Sequence, residues 1–125
     1  MRIRRAELEG VLIIEPEIYR DERGYFLETW REEQFRGSDF LSPDTDPFVQ
    51  ENFSWSRQGV IRGLHYQAGE AVQQKLVRVT HGRILDVVVD IRKGSPTFGQ
   101  HLAVELDDKA HLMILVPEGF AHGFS

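Results

Sequence analysis

The sequence of 125 residues contains no cysteine. Disulfides, thiolate nucleophiles and cysteine-ligated metals are therefore excluded as features of this chain. An excess of positive charge is also lacking, since 15 lysines and arginines are set against 20 aspartates and glutamates, for a net charge of −5. This balance argues against a nucleic-acid or membrane-surface partner, because both require a broad positive field. Any anionic ligand would have to be held by individual arginines.

Long hydrophobic runs are missing as well. The apolar run near the beginning, VLII, spans only residues 11–14 and is followed at once by Glu15 and Pro16. A membrane-spanning helix needs about 20 apolar residues, so the sequence predicts neither a membrane span nor a signal peptide. We expect a cytoplasmic protein, and its length suits a single domain covering residues 1–125.

Short apolar segments, rich in β-branched and aromatic residues and separated by turn signals, predict an all-β sandwich or barrel. The segments DERG at 21–24 and HG at 81–82 predict tight hairpins, and 93–99 predicts a longer loop. One short helix is expected over 31–36, ending at Gly37. The predicted strands cover 11–14, 25–30, 49–56, 61–67, 74–79, 83–91, 100–106 and 111–116.

The segment RILDVVVDIR breaks the alternation of a half-buried strand, and its run of three valines indicates burial on both faces. Asp86 and Asp90 lie four residues apart and share one face of this strand. Buried carboxylates would need partners such as Arg92 or a backbone amide. We therefore expect both aspartates at a solvated rim.

The segment RGLHYQ places several polar side chains in one predicted strand. They either face water or line a cavity in which His65 transfers protons. Strict alternation puts His65 and Gln67 on one face and Arg62 on the other, whereas a bulge at Gly63 would bring Arg62 to the face of His65. A metal site of the cupin type would need a second histidine at position 67. Because a carboxamide is a poor ligand for transition metals, proton transfer is favoured over metal binding.

Other candidates carry two interpretations each. Lys75 either faces solvent or supplies a fixed positive charge that stabilises an oxyanion. His122, in PEGFAHGF, is either a loop histidine or returns towards the cavity. Arg23 and Glu28 flank a turn, where they are solvated or contact phosphate and hydroxyl groups. Phe26 packs in the core or offers a stacking surface, with core packing favoured.

Four blocks, DERGYFLE, QENFSWSRQGVIRGLHYQ, QQKLVRVTHGRILDVVVDIRKGSPTFG and VPEGFAHGF, occur in an order and spacing that resemble the dTDP-4-dehydrorhamnose 3,5-epimerases. The resemblance implies a cupin-type double-stranded β-helix, or jelly roll, without a metal or organic cofactor. It also implies a homodimer in which the strand around Phe26 is exchanged. The family's catalytic tyrosine and its histidine-orienting aspartate are expected beyond Ser125, so the jelly roll is expected to be incomplete at its C-terminal end. Asp86 and Asp90 do not match that aspartate.

The implied activity converts dTDP-4-dehydro-6-deoxy-D-glucose to dTDP-4-dehydro-L-rhamnose by moving protons at C3 and C5, beside the 4-keto group. In this resemblance His65 is the general base and Lys75 lies by the keto oxygen. Two alternatives stay open: a nucleotide-sugar-binding cupin without turnover, and an epimerase that acts at only one of the two carbons. Contacts with the nucleotide sugar are implied for Arg23, Phe26, Glu28, Gln50, Asn52, Arg62 and His122.

Overall fold

The computed structural model describes residues 1–36 and 47–125. The described chain is almost entirely β-structure, as predicted, with one short α-helix, α1 (Glu32–Arg36), and a single 3-10 turn at Gly69–Ala71. No helix in this part of the chain is long and apolar enough to cross a membrane. The strands are β1 (Arg2–Arg5), β2 (Leu12–Glu15), β3 (Ile18–Asp21), β4 (Gly24–Leu27), β5 (Arg62–His65), β6 (Lys75–Arg78), β7 (Arg83–Asp90), β8 (His101–Asp107), β9 (Met113–Val116) and β10 (Phe120–Phe124).

Two four-stranded antiparallel sheets face each other. The first sheet has the order β1-β2-β9-β6 and the second the order β5-β10-β7-β8, while β3 and β4 form a separate hairpin. The main core lies between the sheets, where Ile13 and Ile114 of the first pack with Val88 and Leu106 of the second. Burial of these apolar side chains on two facing layers is the main force that holds the sandwich together.

The first sheet is buried on its other face too. There Leu12 and Leu115 form a second cluster with Phe35 of α1, and all three are at most 1% exposed. Trp30 packs on Phe35 with the ring centroids 4.3 Å apart. The helix predicted over 31–36 is thus confirmed, and its apolar side covers the sheet. The predicted cap, Gly37, lies outside the described residues.

Most of the predicted strands are observed within about two residues of their predicted ends, but 49–56 forms no strand. Its apolar side chains are on the surface, with Val49 88%, Phe53 76% and Trp55 68% exposed. The prediction of a tight hairpin at 81–82 is also wrong. The strands on either side, β6 and β7, belong to different sheets, and this turn carries the chain from one sheet to the other. The DERG hairpin is confirmed as the turn between β3 and β4.

The predicted solvated rim is wrong for Asp86 and Asp90, which are both 0% exposed. Asp90 is tolerated inside because it accepts hydrogen bonds from Arg92 Nη2 at 2.8 Å and from the hydroxyls of Ser95 and Thr97 at 2.6 Å each. The Arg92 guanidinium, helped by the two hydroxyls, lowers the pKa of Asp90 far below its ordinary range. The same contacts close the 93–99 loop, which joins β7 to β8 as predicted. Asp86 has a different partner, described below.

Candidate active site

Three neighbouring strands of the second sheet place two histidines on its inner face. His122 in β10 lies opposite His65 in β5 and opposite Val88 in β7. Residues directly opposite each other in antiparallel strands point to the same face. Because Val88 is fully buried between the sheets, the face that carries His65 and His122 is the inner one. His122 is buried, whereas His65, on the edge strand, is exposed.

The pairing of β5 with β10 contains a β-bulge. His65 is opposite His122 and Arg62 is opposite Phe124, so three steps along β5 match two steps along β10. His122 and Phe124 share a face, since they are two residues apart in one strand. Arg62 and His65 therefore share that face as well. Of the two alternatives that the sequence left open, the bulge is the one observed, and it removes the conflict that strict alternation creates.

Gly63 is the residue that permits this close pairing. It adopts a φ of +125°, and a Cβ added to it would lie 2.6 Å from Gly123 Cα. The same is true across the strands, because a Cβ on Gly123 would lie 2.7 Å from the Arg62 carbonyl oxygen. Two glycines thus let β5 and β10 approach at the point where His65 and His122 lie.

His122 is held by a buried carboxylate. Its Nε2 lies 2.8 Å from Asp86 Oδ2, and the two side chains are 11% and 0% exposed. An ionised carboxylate only accepts hydrogen bonds, so Nε2 carries the proton and Nδ1 of a neutral ring is left as an acceptor. Among the described residues, Asp86 Oδ1 has no hydrogen-bond partner. The sequence holds one signal for Asp86, which lies two residues from Val88 and so shares its face of the strand. Its partner His122 is 36 residues away and could not be identified in this way.

Lys75 begins β6 on the inner face of the first sheet. It is opposite Val116, which is 2% exposed in the core between the sheets, and it is two residues from Val77, which packs against that core. Lys75 is half-buried, and its Nζ donates a hydrogen bond of 3.4 Å to Gln67 Oε1. Gln67 follows His65 by two residues, so this contact ties the lysine to the segment of the candidate base.

The glutamine at position 67 thus binds a lysine where a cupin metal site would have a histidine. In the part of the chain that the structure describes, no three histidine, aspartate or glutamate side chains are placed to hold a metal ion. The contact between Lys75 and Gln67 is a hydrogen bond from a cation to a neutral amide oxygen. The two inner faces therefore offer the imidazoles of His65 and His122 and the ammonium of Lys75.

Three of the predicted substrate contacts belong to the segment that leads into β5. Arg62 donates from Nε to Ser56 Oγ at 2.9 Å and from Nη2 to the Trp55 carbonyl at 3.2 Å. Gln50 donates from Nε2 to Asn52 Oδ1 at 3.0 Å. These bonds orient the guanidinium of Arg62, at the start of β5, and the amides of Gln50 and Asn52, which lie on an exposed stretch without regular secondary structure.

Arg23, Phe26 and Glu28 lie on the β3–β4 hairpin or directly after it. Arg23 Nη2 pairs with Asp21 Oδ2 at 2.6 Å, and Arg31 pairs with Glu28. Phe26 is 69% exposed, so the favoured core position for this ring is wrong. The hairpin therefore presents an arginine and an aromatic ring to solvent.

The hairpin docks on its own chain at the 109–111 turn, far from His65 and His122. The Tyr25 ring centroid lies 4.9 Å from that of His111, and Arg20 Nη2 donates to the Lys109 carbonyl at 3.5 Å. Lys109 and His111 belong to the turn that follows the end of β8 at Asp107. In the same strand, Leu102 is opposite Val88, at the level of His65 and His122, and it lies five residues before Asp107. At the usual rise per strand residue that is roughly 17 Å. Within one chain, the tip of the hairpin, with Arg23 and Phe26, therefore docks well away from His65.

Comparison with known proteins supplies the context for this geometry. Residues 5–125 match the dTDP-4-dehydrorhamnose 3,5-epimerase family. The protein of that name from Methanothermobacter thermautotrophicus is 50% identical over 123 residues, which are 98% of this chain and 64% of the relative. This chain therefore spans about two thirds of the length of the curated relatives it matches.

Solved structures agree with the fold. The dTDP-6-deoxy-D-glucose-3,5-epimerase of Legionella pneumophila, in complex with dTDP-4-keto-L-rhamnose, is similar with a TM-score of 0.90 and 46% identity over 98% of this chain and 63% of that one. A 3′-monoepimerase of Streptomyces bikiniensis, in complex with dTDP-quinovose, is similar with a TM-score of 0.84 and 37% identity over 95% of this chain and 59% of that one. The cupin-type jelly roll expected from the sequence is thus confirmed, and the chain belongs to the dTDP-4-dehydrorhamnose 3,5-epimerase family.

Proposed function

We propose that this protein is an epimerase that converts dTDP-4-dehydro-6-deoxy-D-glucose to dTDP-4-dehydro-L-rhamnose in the cytoplasm. The observation that carries the proposal is that His65, His122 and Arg62 share the inner face of one sheet, while Lys75 lies on the inner face of the other. A base beside a fixed cation is what the removal of a proton next to a ketone requires.

The reaction proceeds through an enolate. C3 and C5 each adjoin the 4-keto carbon, so the electron pair left when His65 takes a proton moves into the carbonyl and its charge rests on the keto oxygen. The Lys75 ammonium stabilises that oxygen. An acid or water on the opposite face of the carbon returns a proton and so inverts the centre, and His65 releases its own proton to solvent. The same sequence at the second carbon completes the conversion. Atoms and charges balance without a redox partner.

His122 is assigned to the sugar, as the resemblance implies. Its buried partner Asp86 fixes the ring orientation and the tautomer, which leaves Nδ1 free to accept a hydrogen bond from a sugar hydroxyl. Arg62, oriented by Ser56 and the Trp55 carbonyl, offers the remaining face of its guanidinium to the diphosphate. Gln50 and Asn52 add amide groups to the same rim.

The nucleotide end of the substrate is assigned to a second copy of the chain. Arg23 and Phe26 lie on the exposed β3–β4 hairpin, which belongs to neither four-stranded sheet, and Glu28 directly follows it. In a homodimer with exchanged hairpins, Phe26 would stack on the thymine base and Arg23 would contact phosphate. The exposure of Phe26 and the docking of the hairpin far from His65 support this arrangement.

Solvent exchange tests the proposal. The protein is incubated in D₂O with dTDP-4-dehydro-6-deoxy-D-glucose, and the sugar is followed by proton NMR. Loss of the C3 and C5 proton signals, together with the signals of the L-rhamno product, is expected. Binding of dTDP without any exchange would instead assign the chain to the nucleotide-sugar-binding cupins.

A second candidate function is epimerisation at one carbon only. It is favoured by the similarity to the 3′-monoepimerase of Streptomyces bikiniensis. The same experiment separates the two functions, since deuterium would then enter at C3 while the C5 proton signal keeps its intensity. The double exchange is the result that the main proposal predicts.

A further inference from the structure

We infer that Gln67 is a positioning residue for Lys75, which holds the ammonium in place without cancelling its charge. The inference rests on the proposed function. Its basis is the hydrogen bond of 3.4 Å from Lys75 Nζ to Gln67 Oε1. The role of Gln67 is then to set where the positive charge lies relative to His65, two residues earlier.

The location of the contact matters because it joins the two sheets. Gln67 follows β5 of the second sheet, and Lys75 is the first residue of β6 in the first sheet. The connection between them includes the 3-10 turn at Gly69–Ala71. A lysine side chain has four rotatable bonds, so a hydrogen-bond acceptor at its tip reduces the number of positions that its charge can occupy. The contact thus aligns a cation of one sheet with a base of the other.

The chemistry explains an amide at this position. A carboxylate would hold the ammonium more strongly, but it would also neutralise the charge that the enolate needs. A histidine at position 67, two residues after His65, would create the pair of imidazoles that attracts a transition metal. A carboxamide oxygen accepts one hydrogen bond from the lysine and leaves the net charge of the pair at +1.

The inference is tested with three variants of the full chain. Gln67→Glu keeps the shape and adds the opposing charge, and Gln67→Met removes the acceptor at similar size. Gln73→Glu is the matched control, because it adds the same charge at an exposed glutamine two residues before Lys75. Deuterium exchange into the keto sugar gives the rate, and titration with dTDP alone gives the affinity for the nucleotide.

We expect Gln67→Glu to slow exchange by about 10- to 100-fold, since the loss of an oxyanion-stabilising group costs about 10²- to 10³-fold and here it is only partly neutralised. Gln67→Met should slow exchange less, and Gln73→Glu should match the wild type. The affinity for dTDP should stay within about twofold in all three, because the nucleotide lacks the keto group. Equal rates in Gln67→Glu and Gln73→Glu would overturn the inference, and so would a loss of dTDP affinity that accounts for the slower rate.

A second readout does not depend on activity. The ¹⁵N resonance of the Lys75 side chain, identified by its disappearance in Lys75→Arg, should shift in Gln67→Met and stay in place in Gln73→Glu. An unchanged resonance in Gln67→Met would show that the glutamine does not hold the lysine. If the wild type exchanges no deuterium, the proposed epimerase fails, while this resonance still decides whether Gln67 positions Lys75.

Discussion

At the scale of single residues, the two buried aspartates of β7 illustrate how a charge is accommodated inside a small sandwich. The hydrogen-bond partners of Asp90 lie within seven residues of it in the sequence. The prediction of Arg92 as a possible partner is therefore confirmed. Asp86 depends on His122, 36 residues away, and only the pairing of β7 with β10 brings the two together. The local pattern led to the wrong expectation of a solvated rim, because the partner that makes burial of Asp86 tolerable is brought to it only by the tertiary fold.

Replacement of Asp86 by asparagine should slow deuterium exchange into the keto sugar by about 10- to 100-fold, because Nδ1 of His122 would no longer accept the hydrogen bond from a sugar hydroxyl, at a cost of about 1–3 kcal/mol. The amide can donate to Nε2 of His122 and thereby reverse the tautomer. Asp108→Asn is a suitable control, since Asp108 pairs with His81 on the surface at 3.5 Å. Exchange in Asp86→Asn as fast as in Asp108→Asn would remove His122 and Asp86 from the reaction.

Asp90 should control stability in acid. Its pKa is lowered in the folded state, chiefly by Arg92, so its contribution is complete above the ordinary aspartate pKa and is lost as the pH falls through the folded value. Urea unfolding at about pH 7 should show Asp90→Asn less stable by about 3 kcal/mol, because Arg92 loses a buried partner. Between about pH 5 and pH 3 the variant should lose less stability than the wild type. Parallel pH curves for the two proteins would contradict this account.

At the scale of elements, β10 and the segment 49–56 show where strand prediction fails. PEGFAHGF has the glycines and proline of a turn, yet β10 is paired on both sides, and its neighbours β5 and β7 impose the strand. The segment 49–56 has the aromatic residues of a strand, but in the described chain its side chains are exposed and it joins neither sheet. The bounds of β7 agree with the prediction to within one residue, but its predicted burial on both faces is wrong: Val88 is buried, whereas Val87 is only half-buried and Leu85 is 47% exposed.

The close approach of β5 and β10 gives a prediction for Gly63. Gly63→Ala should lower the free energy of unfolding by about 3 kcal/mol, from a strained positive φ and from the clash with Gly123. Gly59→Ala is the matched control: Gly59 has a φ of +83° but nothing within 4 Å of an added Cβ. It should lose only about 1 kcal/mol. Equal losses, measured by urea unfolding, would show that the contact between the glycines is unimportant.

At the scale of the whole molecule, the sheets and the hairpin make different contributions to the proposed site. The sheets provide His65, His122, Arg62 and Lys75 at their inner faces. The hairpin keeps its aromatic ring and its arginine on the outside of its own chain. Linked motifs in the sequence indicated the candidate residues. They could not show that the hairpin residues lie apart from the sheet residues within one chain, because the position of the hairpin depends on its contacts with the 109–111 turn.

Mixed dimers test whether the hairpin serves a second copy. His65→Ala and Arg23→Ala should each be nearly inactive alone. After they are unfolded and refolded together in equal amounts, half of the dimers should be mixed, and one of the two sites in each should be intact, so about a quarter of the wild-type activity should return. Mixtures with no more activity than the separate variants would indicate that each hairpin acts in its own chain.

The central claim is that His65 removes a proton from carbon beside a ketone. Its most direct test is the rate of deuterium entry at C3 of dTDP-4-dehydro-6-deoxy-D-glucose in His65→Ala and in His101→Ala, a control at an exposed histidine of β8. We expect a loss of about 10²- to 10⁴-fold in His65→Ala and an unchanged rate in His101→Ala. Exchange at the wild-type rate in His65→Ala would contradict this claim.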